Sequence, residues 1–94
     1  GDFGEAKPLF RQVISGNERI LGTEHPDTLS SINNLACLLE TQKELLEAEV
    51  LYKRVANAAE ATLGEEHPHT RIYKMNLQDC QTALEKSKDP PSDT

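Results

Sequence analysis

The chain has 94 residues and a formal net charge of -6, from 10 Lys and Arg against 16 Asp and Glu. This length allows one small domain. The acidic balance argues against nucleic acid and anionic membranes as partners, because both attract basic surfaces. Hydrophobic residues make up 36% of the chain, and they form no run near the roughly 18 residues that a membrane helix needs.

The first predicted helix covers residues 2–21. From Ala6 to Ile14, apolar residues recur at the three- and four-residue spacing of one helix face. Gly22 follows at the point where a helix end favours a residue that tolerates positive φ. Gly16 lies inside this helix at a cost of roughly 1 kcal/mol relative to Ala, so we expect it to permit close helix packing or a bend.

The second predicted helix covers residues 26–41. Pro26 suits a first helical position because its φ is preset and it needs no N–H. His25 precedes that proline, which favours extended backbone, and we expect His25 to cap the helix or end the preceding loop. A tight turn follows at residues 41–44, where Lys43 must adopt the turn conformation at some cost.

Two further helices are predicted at residues 44–63 and 68–86. The remaining residues 87–94 are polar and contain Pro90 and Pro91, which block a helix. We therefore expect one all-α unit over residues 1–86 and a disordered polar tail over residues 87–94.

The sequence repeats itself with a period of 42 residues. Residues 1–38 align with residues 43–80 without a gap and are identical at 13 of 38 positions, including LGTEHPDT (21–28) against LGEEHPHT (63–70). A fixed period of 20–50 residues is typical of stacked repeat proteins.

This pattern resembles the tetratricopeptide repeat in its 42-residue form, which is typical of kinesin light chains and nephrocystin-3-like proteins. The resemblance rests on INNLACLL (32–39), on EAEVLYKRV (47–55) and on the two LGxEHP linkers. It implies helix A–helix B hairpins stacked as a short right-handed superhelix, here in the phase B-A-B-A. The phase and the absence of an initial Met lead us to expect an excised segment or the end of a longer array.

The resemblance also implies a non-catalytic protein-interaction module that binds a peptide or partner protein on the concave face of its A helices. Asn34 and Asn76 match the family's recurring groove asparagine, whose amide offers a donor and an acceptor to a peptide backbone. The alternative is that these asparagines bridge neighbouring helices. We call the predicted binding set the groove residues: Asn33, Asn34, Cys37, Ile72, Met75, Asn76 and Asp79.

Other site chemistries find little support in the sequence. His25 and His67 lie one repeat apart, too far to share a metal ion, and no cysteine has ligand spacing near them. Cys37 and Cys80 lack a catalytic signature and a basic neighbourhood. The Lys and Arg clamp of chaperone-binding repeats is replaced here by Asn33, Cys37, Met75 and Asp79. We expect no enzyme activity, no cofactor and no metal.

Three roles remain open. The first is peptide or partner binding in the groove; an acidic cargo of the kinesin-light-chain type would need Arg71 or Lys74 there. The second is structural, with the end helices stacking on neighbouring repeats or on a second copy as a homo-oligomer. The third is a sensor arm of a larger regulator, such as one linked to an NTPase. We expect a reducing, cytoplasmic location, because two cysteines are too few for a disulfide framework.

Overall fold

A computed structural model describes residues 3–88, and the side chains of residues 7–87. Its helices are α1 (Phe3–Ile20), α2 (Pro26–Thr41), α3 (Leu45–Leu63) and α4 (Pro68–Lys88), and no strand occurs among these residues. Each helix begins and ends within two residues of the bounds predicted from the sequence. The protein is an all-α helical stack, as predicted.

The last helix continues past its predicted end at residue 86. Ser87 and Lys88 belong to α4, and the Ser87 hydroxyl donates to the carbonyl of Leu84 over 3.0 Å. The predicted tail was therefore wrong at these two residues, because the restriction that Pro90 places on backbone conformation reaches back only to Asp89. Residues 89–94 of the predicted tail lie outside the described residues.

Each helix packs against the next along the chain, and contacts between alternate helices arrange the four in two layers. The B-type helices α1 and α3 lie side by side and are joined by Arg11 Nη2–Glu47 Oε2 at 2.5 Å and by an ion pair between Glu18 and Arg54. The A-type helices α2 and α4 form the second layer. This alternation is the B-A-B-A order that the repeat predicts.

The core lies between the two layers. Tyr52 of α3 is the largest fully buried side chain. The aliphatic stripe predicted on α2 is buried, and so is the small-residue face of α3 on which Tyr52 lies. The buried hydrophobic residues are Ile14, Leu29, Ile32, Leu35, Ala36, Leu39, Ala48, Tyr52, Val55, Ala56, Ala59, Tyr73 and Cys80.

The two LGxEHP linkers fold alike. Gly22 and Gly64 have φ of 105° and 96°, a region that L-residues with a Cβ rarely adopt. His25 Nδ1 accepts a hydrogen bond from the backbone N–H of Asp27 over 3.1 Å, and His67 Nδ1 accepts from the N–H of His69 over 3.0 Å. Both histidines therefore cap helix starts, which confirms that prediction for His25.

Two predictions about single residues have different outcomes. Lys43 has φ of 66°, which confirms that it must enter the left-handed region; its N–H donates to Glu40 and that of Glu44 donates to Leu39, as in a Schellman motif. The expectation that Gly16 permits close packing is wrong, because a Cβ placed there meets nothing within 4 Å.

Candidate functional site

The A-type helices α2 and α4 are joined by a hydrogen bond between two groove residues. The side-chain Nδ2–H of Asn76 donates to Oδ1 of Asn33 over 3.2 Å, and the two residues are 43 positions apart. Both side chains are half-buried. For this pair, the alternative that asparagines bridge neighbouring helices is the arrangement found.

Asn34 lies on a different side of α2. It is exposed, as are Ser30, Cys37 and Thr41, and this spacing of three and four residues places the four on the helix face opposite the buried stripe. Its side-chain amide makes no hydrogen bond to any of residues 7–87. Asn34 therefore retains the free donor and acceptor that contact with a peptide backbone requires.

The groove residues of α4 are more apolar than those of α2. Ile72 is 49% exposed and Met75 is 61% exposed, and in the 42-residue register they occupy the positions of Ser30 and Asn33. Asp79, equivalent to Cys37, is also exposed. The α4 half of the groove can therefore contact an apolar side chain of a ligand. The carboxylate of Asp79 lies one helical turn beyond Met75.

The two cations of α4 that an acidic cargo would need lie beside carboxylates. Lys74 Nζ lies 3.4 Å from Glu60 Oε1 and 3.7 Å from Glu65 Oε2. Arg71 Nη2 lies 3.6 Å from Glu66 Oε1. These partners belong to the end of α3 and the linker that follows it, so both side chains extend toward that linker. An acidic ligand on the groove would compete with carboxylates already in place.

Cys37 also has a partner that sequence reasoning missed. The hydroxyl of Tyr52 donates to Glu40 Oε1 over 2.8 Å, and Cys37 Sγ lies 3.2 Å from the same phenol oxygen. Burial, together with these two neighbours, raises the pKa of Tyr52 above its ordinary value. The signal was the hydroxyl that Tyr52 adds to the position of Phe10, since a buried hydroxyl needs a partner.

The described residues hold no cluster of three or more His, Cys, Asp and Glu that could bind a metal ion. The rings of His67 and His69 have centroids 5.2 Å apart, but one nitrogen of His67 is occupied by the helix cap. Cys37 and Cys80 are both free thiols. None of the described helices combines the length and the apolar character needed to cross a membrane.

Comparison with known families agrees with the repeat seen in the structure. The family model described as tetratricopeptide repeat matches residues 1–27 and 28–69. The second matched segment contains all of α3 and all of α2 except its first two residues, and these two helices form one A–B hairpin. A search of curated proteins gave no significant match. The two matched segments together cover well over half of the sequence, and the chain belongs to the tetratricopeptide repeat family.

Proposed function

We propose that this chain binds a peptide or a segment of a partner protein along the groove residues of α2 and α4. Tetratricopeptide repeats are generally protein-interaction modules and typically non-catalytic. The observation that carries the proposal is the pairing of the two A-type helices through Asn33 and Asn76, beside the exposed amide of Asn34. A ligand lying across both helices would contact a surface that is already ordered.

The chemistry of the groove residues indicates which kind of peptide the surface would bind. Asn34 offers its amide to a peptide backbone whatever the peptide sequence. Ile72 and Met75 together expose aliphatic surface, and burying it under a ligand favours binding by roughly 25 cal/mol of free energy per Å². Asp79 favours a positively charged neighbour. We therefore propose an extended peptide with one apolar anchor residue followed by a basic residue.

This ligand differs from the acidic cargo that the kinesin-light-chain resemblance raises. Acidic cargo would have to displace the carboxylates of the α3–α4 region that lie beside Arg71 and Lys74. The repeat length of 42 residues still favours the kinesin-light-chain-like subtype. A cytoplasmic location is likewise our proposal, supported by the two free thiols, which suit a reducing compartment.

A selection experiment tests the proposed function. Short random peptides displayed on phage are selected against the full chain, and enriched peptides are titrated against the parent and two variants. We expect Asn34→Ala to weaken binding by up to about tenfold, because one hydrogen bond contributes about 0.5–1.5 kcal/mol. The matched control is Asn57→Ala, since Asn57 is an exposed asparagine on α3. Equal affinities for the two variants, or no enriched peptide, would contradict the proposal.

A further inference from the structure

The linkers before α2 and α4 each place a histidine ring against the helix that follows. Nδ1 of His25 accepts a hydrogen bond from the N–H of Asp27 over 3.1 Å, and Nδ1 of His67 accepts from the N–H of His69 over 3.0 Å. A neutral imidazole has one nitrogen that can accept, whereas a protonated imidazole carries hydrogens on both nitrogens. Each cap therefore exists only while its histidine is neutral.

One position distinguishes the two caps. In the 42-residue register, Asp27 in the first turn of α2 corresponds to His69 in the first turn of α4. A carboxylate at this position attracts a protonated His25 and suits the positive end of the helix dipole. At the second cap, the rings of His67 and His69 have centroids 5.2 Å apart, so protons on both would repel each other and oppose the same dipole. Protonation therefore destabilises the start of α4 more than the start of α2.

The charged groups around the second cap already form ion pairs with one another. They are Glu60 near the end of α3, Glu65 and Glu66 in the linker, and Arg71 and Lys74 of α4. Tyr73, whose ring centroid lies 6.3 Å from that of His69, is buried. No histidine among residues 7–87 is part of an ion pair. A proton gained by His67 or His69 therefore meets carboxylates that other cations already engage.

The first cap has different surroundings. Glu24 and Asp27 flank His25 in the chain, and neither forms an ion pair with any of residues 7–87. Arg54 of α3, which lines a cleft with Glu24, is paired with Glu18 of α1. Two carboxylates therefore remain available to a protonated His25, which compensates in part for the loss of its cap.

We propose that His67 and His69 form an acid-sensitive switch, which releases the first turn of α4 at a pH at which the first turn of α2 stays capped. Histidine gains its charge between about pH 8 and pH 5. The stabilisation from the second cap is fully present at the upper end of this range and is lost as the pH falls. Ile72 follows the released turn directly, so the switch loosens the apolar half of the groove. The switch itself does not require that the groove binds a ligand.

Amide hydrogen exchange tests the switch at two matched positions. The N–H of Leu29 donates to the carbonyl of His25 over 3.0 Å, and the N–H of Arg71 donates to the carbonyl of His67 over 3.1 Å. These two amides therefore report the opening of the first turn of α2 and of α4. Their exchange rates are measured by NMR on the labelled full chain at pH 8 and pH 5.5. Each rate is divided by that of an unstructured peptide at the same pH, which gives a protection factor.

Three variants separate the contributions of the residues involved. His67→Asn keeps a side chain that can accept the capping hydrogen bond but does not titrate. His69→Asp gives the second linker the first-turn carboxylate of the first linker. Asp27→His makes the reverse change in α2 and serves as the matched gain-of-sensitivity variant.

We expect the protection factor of Arg71 in the parent to fall at least about fivefold between pH 8 and pH 5.5, which is the effect of one lost cap on an equilibrium constant. That of Leu29 should fall less. His67→Asn should remove the fall at Arg71, and His69→Asp should reduce it to that of Leu29. Asp27→His should enlarge the fall at Leu29. Equal falls at the two amides of the parent, no fall at Arg71, or a fall at Arg71 that persists in His67→Asn would overturn the proposal.

Discussion

Asn76 of α4 donates a side-chain hydrogen bond to Asn33 of α2 over 3.2 Å, and this contact joins the two A-type helices of the stack. It links the two halves of the groove, which both pack against α3. Asn34, one residue further along α2, remains exposed. Two adjacent asparagines thus have different environments, one holding the surface together and the other available to a ligand.

Replacing Asn76 by alanine is expected to lower the free energy of unfolding by about 0.5–1.5 kcal/mol, the net contribution of one intramolecular hydrogen bond. Urea unfolding followed by circular dichroism measures the change. Asn57→Ala, on an exposed site, serves as the control and is expected to change stability by less than about 0.5 kcal/mol. If both variants unfold at the same urea concentration, the Asn33–Asn76 bond contributes nothing measurable.

The same glycine-to-alanine change is expected to have opposite effects at Gly64 and Gly16. Gly64 combines φ of 96° with ψ of 155°, a conformation that costs a residue with a Cβ about 1–3 kcal/mol. Gly16 lies inside α1 with open space around it, where alanine stabilises by up to about 1 kcal/mol. Thermal unfolding of the two variants checks this. Because a Cβ meets no atom within 4 Å at either site, a change of the same sign in both would contradict the backbone explanation.

A substitution in the turn between α2 and α3 is expected to stabilise the protein. Lys43 has φ of 66°, and an L-residue pays about 1–2 kcal/mol in the left-handed region. Lys43→Gly is expected to raise the free energy of unfolding by about 1 kcal/mol. Lys43→Ala removes the same charge but keeps the Cβ, so it should leave stability nearly unchanged. Equal stabilities of the two variants in chemical denaturation would show that the turn is not strained at this residue.

The two thiols are expected to differ in their reaction with reagents, and Cys80 is expected to make stability depend on pH at alkaline pH. Burial first, and then the charges of Glu40 and Glu49, raise the pKa of the Cys80 thiol to about 11 from its ordinary value of 9.0. The folded chain therefore keeps this proton to higher pH than the unfolded chain does. Its contribution to stability is fully present below pH 9 and is lost as the pH rises from 9 to about 11.

Denaturant unfolding of the parent and of Cys80→Ala at a series of pH values measures this loss. In Cys80→Ala, the loss of stability between pH 9 and 10 should be absent. Losses above pH 10 should persist in the variant, because Tyr52 and Tyr73 also have raised pKa values and their ordinary value is 10.0. A disulfide reagent near neutral pH should modify the exposed Cys37 quickly and Cys80 only on unfolding. Identical pH profiles, or rapid reaction of both thiols, would contradict the burial of Cys80.

Helices and linkers followed from the sequence because the determining interactions are local. The stripe on α2, the glycine after each helix and the cap formed by His25 each involve residues a few positions apart. The 42-residue repeat then predicted the order of the layers, since identical units pack in the same way. Even the cost of the turn at Lys43 could be predicted, by comparison with Gly1 one period earlier.

Contacts between helices were harder to predict from the sequence. The bond between Tyr52 and Glu40 depends on how α3 is rotated against α2, and the Asn33–Asn76 bond joins positions 43 residues apart, one more than the repeat. Val13 is exposed whereas its repeat equivalent Val55 is buried, a difference that two identical residues do not reveal in the sequence. The assignment of the groove residues to ligand binding stays a prediction.

Chemical-shift mapping by NMR tests the proposed binding surface most directly. A peptide enriched by selection is added to the isotopically labelled chain, and the chemical shifts of the chain's backbone amides are followed to saturation. We predict the largest shifts at Asn34 and Cys37 of α2 and at Ile72, Met75 and Asp79 of α4. Shifts confined to α1 and α3, with these five residues unchanged, would contradict binding along the A-type helices.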